Sequence, residues 1–400
     1  MQSAPYLPHF PLHNWQLLVS AILLVAGYSG GELTRRVGLP RILGYIAVGA
    51  ILGDPGLGLI NEAVRVDMRL FVDVGLGMLL YELGQRLDLQ WMRRERWLWI
   101  IAIGEIILTW LLCYTLLSLL HFPSMQASLL AAVMISTSPV VVMYMVRELG
   151  ADGQVTNRML TLAAINSMAA FVASTTLLSW LDYSAQGGVP TIVLQSIYLL
   201  VGSFTLGFVV YIIFHELARW FGKDDAPQFV LAMSMVLLGV GLADAFKLSV
   251  LCTLLTVGVL AKNANPRRRI RHIEFGMTAE LFCVILFVSA GAAWHFTFDG
   301  KIVLAALALS GVRYLGKAIP IYGLSALTPL GVSRAGLLSL SLTPLSGFTA
   351  LLVLDSNRRY PGFSAELVSI FLSAVVILEI AGPILVQFSL RRAKEARPEV

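Results

Sequence analysis

About thirteen mostly apolar stretches of roughly 17–25 residues, joined by brief polar connections, leave this chain few ways to fold. Each is long enough to cross the hydrocarbon core of a bilayer, where a helix satisfies its own backbone. They lie near residues 15–33, 40–60, 68–85, 97–120, 125–146, 159–181, 190–214, 227–243, 248–262, 275–294, 302–327, 335–354 and 365–389. Charged residues make up 13% of the chain, against roughly 25% in an average soluble protein, and they gather between the apolar runs. The expected fold is an all-α polytopic membrane protein.

Two of these stretches are interrupted. Met134-Ile135-Ser136-Thr137-Ser138-Pro139 falls inside residues 125–146, and Ser341-Leu342-Thr343-Pro344-Leu345-Ser346-Gly347 inside residues 335–354. A proline lacks an N–H and blocks a helical hydrogen bond, so nearby carbonyls and hydroxyls need other partners. Lipid offers none; protein or a polar cavity must. Matched interruptions in corresponding positions of two halves are a sequence pointer to a binding site near the bilayer midplane.

Lys and Arg give the orientation. One set of alternate connections carries Arg35, Arg36 and Arg41, then Arg86, Arg93, Arg94 and Arg96, then Arg147 and Arg158. Arg219, Lys223, Lys262, the run at 267–271, Arg334 and the tail after Leu390 follow on the same side. The other set holds mainly Arg65, Arg69, Lys247, Lys301, Arg358 and Arg359. This asymmetry places the N-terminus outside and the C-terminus in the cytoplasm, and it requires an odd number of spans. The net charge of +5 is read as topology rather than as a nucleic-acid surface. Met1 to Asn14 holds no Lys or Arg, so the run from Trp15 to Glu32 reads as a retained span and not a signal peptide.

Candidates for other chemistry are few. The basic run at 267–271 is a topogenic anchor or a binder of anionic headgroups. His215-Glu216 begins like a zinc-protease helix, but Arg219 occupies the place of the second histidine. Cys113, Cys252 and Cys283 sit apart in apolar runs without ligand partners. No metal-ligand cluster, nucleophile elbow or phosphate-binding glycine loop appears, and neither an enzyme nor a cofactor is expected.

A charge deep in a span is costly and therefore a functional candidate. The deepest are Glu105, Arg313, Lys317 and Glu379, whereas Glu82 and Glu280 lie near enough to an interface to snorkel toward water. Arg313 and Lys317 are four residues apart and share a helix face. They either brace the bundle through salt bridges or hold the carbonyls freed by the interruptions, and a buried lysine is also a titratable group. Asn166 and Ser167, in the sixth stretch, stand level with the first interruption; their oxygens suit a dehydrated monovalent cation or an interhelical hydrogen bond.

Further motifs resemble a known family. Leu43-Gly44-Tyr45-Ile46-Ala47-Val48-Gly49-Ala50-Ile51-Leu52-Gly53-Asp54-Pro55-Gly56-Leu57-Gly58 is similar to the second-span signature of monovalent cation/proton antiporters, the sodium/hydrogen exchanger-like proteins. Gly75 to Gly84, Glu280-Leu281-Phe282, Phe287 to Gly291 and Gly316-Lys317 match in the same order and spacing. The resemblance implies inverted repeats with two crossing broken helices at the Thr137 and Thr343 segments. It implies one membrane domain over 1–400 with core spans near 97–181 and 275–354, a dimerising scaffold from the rest, and no soluble regulatory domain. A monovalent cation and the proton are the implied substrates, exchanged by alternating access in a bacterial inner membrane, with a homodimer as the implied assembly. Thr137, Ser138, Asn166, Ser167 and Thr343 fall at the implied ion-binding site, with Lys317 and Arg313 compensating charge.

One position departs from the family pattern. The sixth span of the family carries a pair whose second member is an aspartate that binds the cation and exchanges the proton. Here the pair is Asn166-Ser167. A hydroxyl cannot reproduce that competition, so another carboxylate must titrate, and Glu105, deep and within reach of Lys317, is the first choice. Two alternatives keep the fold: a transporter of an anion or organic solute, and a non-transporting regulatory membrane protein.

Overall fold

The computed structural model describes residues 15–60, 62–186, 189–221, 225–264, 270, 273–294, 299–328, 330–345, 353 and 364–397. Among these residues the chain is helical, with one isolated bridge between Gly53 and Ile60 as its only β pairing. The helices are α1 Trp15–Arg36, α2 Arg41–Leu52, α3 Glu62–Arg86, α4 Leu89–Arg94, α5 Arg96–Leu119, α6 Ser124–Met134, α7 Pro139–Leu149 and α8 Gln154–Gln186. They continue with α9 Val189–Phe221, α10 Asp225–Ala245, α11 Val250–Asn263, α12 Gly276–Ala292, α13 Gly300–Gly323, α14 Gly331–Ser341 and α15 Ala365–Arg392. With α6 and α7 taken as one interrupted segment and the short α4 set aside, the described helices fall at the thirteen apolar stretches. Among the described residues, seven segments are long and apolar enough to cross a membrane outright. Most of the basic run at 267–271, and Ser346 and Gly347 of the second interruption, lie outside the described residues.

The chain forms two compact units. One comprises residues 1–75 and 280–294. In it α1 lies so close along α2 that a Cβ on Gly44 would strike the backbone of Gly30. Tyr45 donates its hydroxyl to Glu280 at 2.7 Å, and Arg41 stands 3.8 Å from the same carboxylate.

The other unit holds residues 76–279 and 295–400 and carries both interruptions. Here α13 runs along α5 and α15, and α6 packs on α5 and α8. An apolar core of Cys113, Leu117, Leu130, Leu309, Phe371 and Leu378 fills the space between α5, α6, α13 and α15. The most apolar stretch of the α6–α7 segment is wholly buried, against a third of that of α5. Protein on every side is the condition under which a membrane segment tolerates a break in its helix.

Glu82 differs from its expected snorkelling. It is buried, 3.5 Å from Arg147, and accepts the backbone N–H of Phe275 at 2.7 Å. The arginine comes from α7, and a buried carboxylate with a partner at hand has no need to reach water.

Candidate functional site

The first interruption follows from one proline. Pro139 begins α7, where its missing N–H is tolerated, and Ser138 caps the helix by accepting the Val141 N–H at 3.3 Å. Without a Pro139 N–H, the carbonyl of Ile135, four residues earlier, loses its helical donor. Lys317 replaces it: Nζ donates to Ile135 O at 2.9 Å and to Thr137 Oγ1 at 3.0 Å. In the second interruption Pro344 stands four residues after Leu340, whose carbonyl is taken instead by the Thr343 hydroxyl at 2.7 Å.

The two interruptions meet. Ser138 N donates to Pro344 O at 3.0 Å and Thr137 Oγ1 to Leu342 O at 3.3 Å. Arg313 ties them together: Nε donates to Met134 O at 2.9 Å, Nη1 to Thr343 O at 2.7 Å, and Nη2 to Ser136 O at 2.6 Å and Pro344 O at 3.3 Å. The guanidinium is wholly buried, and its rigid fork suits carbonyls from two strands of backbone. Arg313 and Lys317 thus sit at the carbonyl ends of α6 and α14, where the helix dipoles are negative. Holding the freed carbonyls, one of the two structural roles open to Arg313, is the arrangement observed.

Glu105 on α5 reaches the same place. Its Oε1 accepts from Asn166 Nδ2 at 2.9 Å, and the same amide nitrogen lies 3.4 Å from Thr137 Oγ1. Ser167 donates its hydroxyl to Thr137 O at 2.6 Å. A line of contacts therefore runs Glu105–Asn166–Thr137–Lys317. The carboxylate and Lys317 form no ion pair within 4.0 Å; Asn166 and Thr137 stand in the line between them. Gly316 allows this approach, since a Cβ there would come within 2.5 Å of Thr109 Cα on α5.

Thr137, Ser138, Asn166, Ser167, Thr343, Arg313, Lys317 and Glu105 are all buried and all lie at this crossing. Glu379 is buried on α15. Sequence reasoning missed Thr109, one turn after Glu105, and it left open whether salt bridges or freed carbonyls are the main partners of the two cations. The prolines carried the signal for the carbonyls, because the residue four before each proline marks a freed carbonyl.

Apolar helices of membrane-spanning length, with two interrupted segments that meet at buried cations, define an integral multi-pass membrane protein with an antiporter-type fold. Residues 20–391 match the family described as sodium/hydrogen exchanger, transmembrane. The chain belongs to that family. It is 22% identical over 311 residues to the Na(+)/H(+) antiporter of Enterococcus hirae, covering 75% of this chain and 79% of that one. It is 33% identical to the iron transporter MagA of Paramagnetospirillum magneticum over only 78 residues, 20% of this chain and 18% of that relative. The fold is that of the sodium proton antiporter MjNhaP1 from Methanocaldococcus jannaschii. Its electron-microscopy structure gives a TM-score of 0.74 at 15% identity, covering 96% of this chain and 99% of that one. A second MjNhaP1 structure, at pH 8, gives 0.66, covering 94% and 95%.

Proposed function

We propose that the protein is a secondary transporter that exchanges a monovalent cation for protons by alternating access around the crossing. Thr137, Ser138, Asn166, Ser167 and Thr343 line the site, Arg313 and Lys317 compensate the carbonyl dipoles, and Glu105 carries the proton that an aspartate carries elsewhere in the family. The observation that supports this most is the placement of a buried carboxylate, Glu105, in hydrogen-bond contact with Asn166. The relatives named sodium/proton antiporters point to the same substrates. A cavity for an anion is the weaker reading, because Arg313 spends all four of its hydrogen bonds on carbonyls. A bacterial inner membrane, an outside N-terminus, a cytoplasmic C-terminus and a homodimer complete the proposal.

The test is flux. Full-length protein in proteoliposomes carrying an internal pH dye is challenged with external Na+, Li+ or K+. The expected result is proton movement opposite to at least one of these cations. Vesicles whose internal pH responds to none of the three would refute the exchange.

A further inference from the structure

Four buried side-chain oxygens at the crossing have no hydrogen-bond partner among the described residues: the hydroxyls of Thr109 and Ser136, which can also donate, and two carbonyl-type oxygens, Glu105 Oε2 and Asn166 Oδ1. The last two belong to neighbouring groups, since the other carboxylate oxygen of Glu105 is held 2.9 Å from the amide nitrogen of Asn166. Glu105 is 1% exposed and Asn166 is fully buried, so bulk water does not satisfy either atom. Buried acceptors are nearly always paired in folded proteins, and a pair of exceptions side by side asks for a ligand.

Most of the N–H donors on the two nearby cations are engaged, two of three on Lys317 and four of five on Arg313. Lys317 gives its hydrogen bonds to Ile135 O and Thr137 Oγ1, and Arg313 gives its four to carbonyls. The Asn166 amide nitrogen points at Glu105 Oε1 and Thr137 Oγ1, which fixes its oxygen as the unengaged end. Residue 167, for its part, offers no charge, and its hydroxyl proton is committed to Thr137 O at 2.6 Å.

Resting on the exchange reading above, we infer that Glu105 Oε2 and Asn166 Oδ1 are the anchoring ligands of the transported cation, so that the binding carboxylate sits on α5 instead of at position 167 on α8. Oxygen-only ligands suit a hard cation. The charge count selects a monovalent one: with Glu105, Arg313 and Lys317 ionised the crossing carries about one net positive charge, and a divalent ion adds two more where a monovalent ion adds one. The departure at Ser167 then has a structural counterpart, because the carboxylate missing from one helix is supplied by the helix packed beside it. Gly316 lets α5 come close to α13, the helix that carries Lys317.

Cation binding is measured on the detergent-purified full-length chain as a shift in thermal unfolding midpoint. NaCl, LiCl, KCl and MgCl2 are each titrated against choline chloride at constant ionic strength. The wild type is expected to be stabilised by at least one alkali cation and not by Mg2+. Glu105→Gln and Asn166→Leu are each expected to raise the half-saturating concentration tenfold or more, while Gly311→Ala, on the open face of α13, leaves it unchanged. Monodisperse elution establishes folding for each variant, and whichever of the two folds decides. A Glu105→Gln protein that keeps the wild-type cation response overturns the assignment, as does an Asn166→Leu protein that keeps it, or a wild type that responds to no alkali cation. If the proteoliposomes exchange ions while Glu105→Gln binds them normally, the ligand assignment fails and the transport reading stands. If no flux occurs at all, it is the transport reading that fails.

Discussion

Replacing Arg313 by methionine removes the clamp between the two interruptions while keeping a long apolar side chain of similar reach. Four backbone acceptors lose their donor: Met134 O, Ser136 O, Thr343 O and Pro344 O. Pro344 O retains the Ser138 N–H at 3.0 Å, so three carbonyls are stripped of the bond described here. A buried acceptor left unpaired costs about 1–3 kcal/mol, which gives roughly 3–9 kcal/mol for three. Interhelical hydrogen bonds measured in a membrane average only about 0.6 kcal/mol and reach about 1.7 kcal/mol, which gives roughly 2–7 kcal/mol for four. The overlap is about 3–7 kcal/mol, and its lower part, about 3–5 kcal/mol, is the usual loss when one partner of a buried charged cluster is deleted. Arg313→Lys keeps the charge but not the fork, so it can serve fewer of the carbonyls at once, and its expected loss is about half as large. Unfolding in mixed micelles of increasing denaturing-detergent fraction, followed by tryptophan fluorescence, measures both variants. The reasoning is refuted if Arg313→Met lies within about 1 kcal/mol of wild type, or if Arg313→Lys is as damaging as Arg313→Met.

Two further substitutions probe how the crossing is supported. Gly316→Ala places a Cβ 2.5 Å from Thr109 Cα and 2.9 Å from its amide nitrogen, and backbone cannot yield as a side-chain tip does; a loss of about 1–3 kcal/mol is expected. Gly311→Ala meets nothing within 4 Å on the same helix and should be neutral or gain about 0.5–1 kcal/mol. Equal midpoints for the two in a thermal unfolding scan would contradict the close approach of α5 and α13. Glu395, beyond α15, accepts Val155 N at 2.9 Å, Thr156 N at 2.8 Å and Thr156 Oγ1 at 2.8 Å, capping α8 from a distant part of the chain. Glu395→Ala should cost about 1–2 kcal/mol locally and speed amide exchange at Val155 and Thr156 by roughly 5–30-fold. Unchanged exchange there would show that the cap carries no energy.

Much of this arrangement was legible in the chain itself. Hydropathy located the helices because a span must be apolar over a fixed length whatever its neighbours are. Pro139 and Pro344 located the breaks and implied carbonyls in need of partners, but which carbonyls those are, Ile135 and Leu340, was read only in the structure. Depth within a span singled out Glu105, Arg313 and Lys317 as the charges to explain. Less legible was what each would touch. Glu105 was read as within reach of Lys317, and its hydrogen bond goes to Asn166; Glu82 was read as near enough to an interface to snorkel, yet it is buried against Arg147.

Those differences share a cause. Periodicity, hydropathy and proline chemistry act within a few residues, and the sequence by itself therefore determined the apolar stretches, the two interruptions and the charges that lie deepest within them. The contact of Glu105 with Asn166 joins positions 61 apart, and the clamp of Arg313 on Ser136 joins positions 177 apart. Such pairings depend on how closely two backbones approach, and that was decided only in the tertiary structure. At Gly316 the missing side chain brings α5 against α13, and this approach sets a carboxylate beside the crossing where position 167 supplies only a hydroxyl.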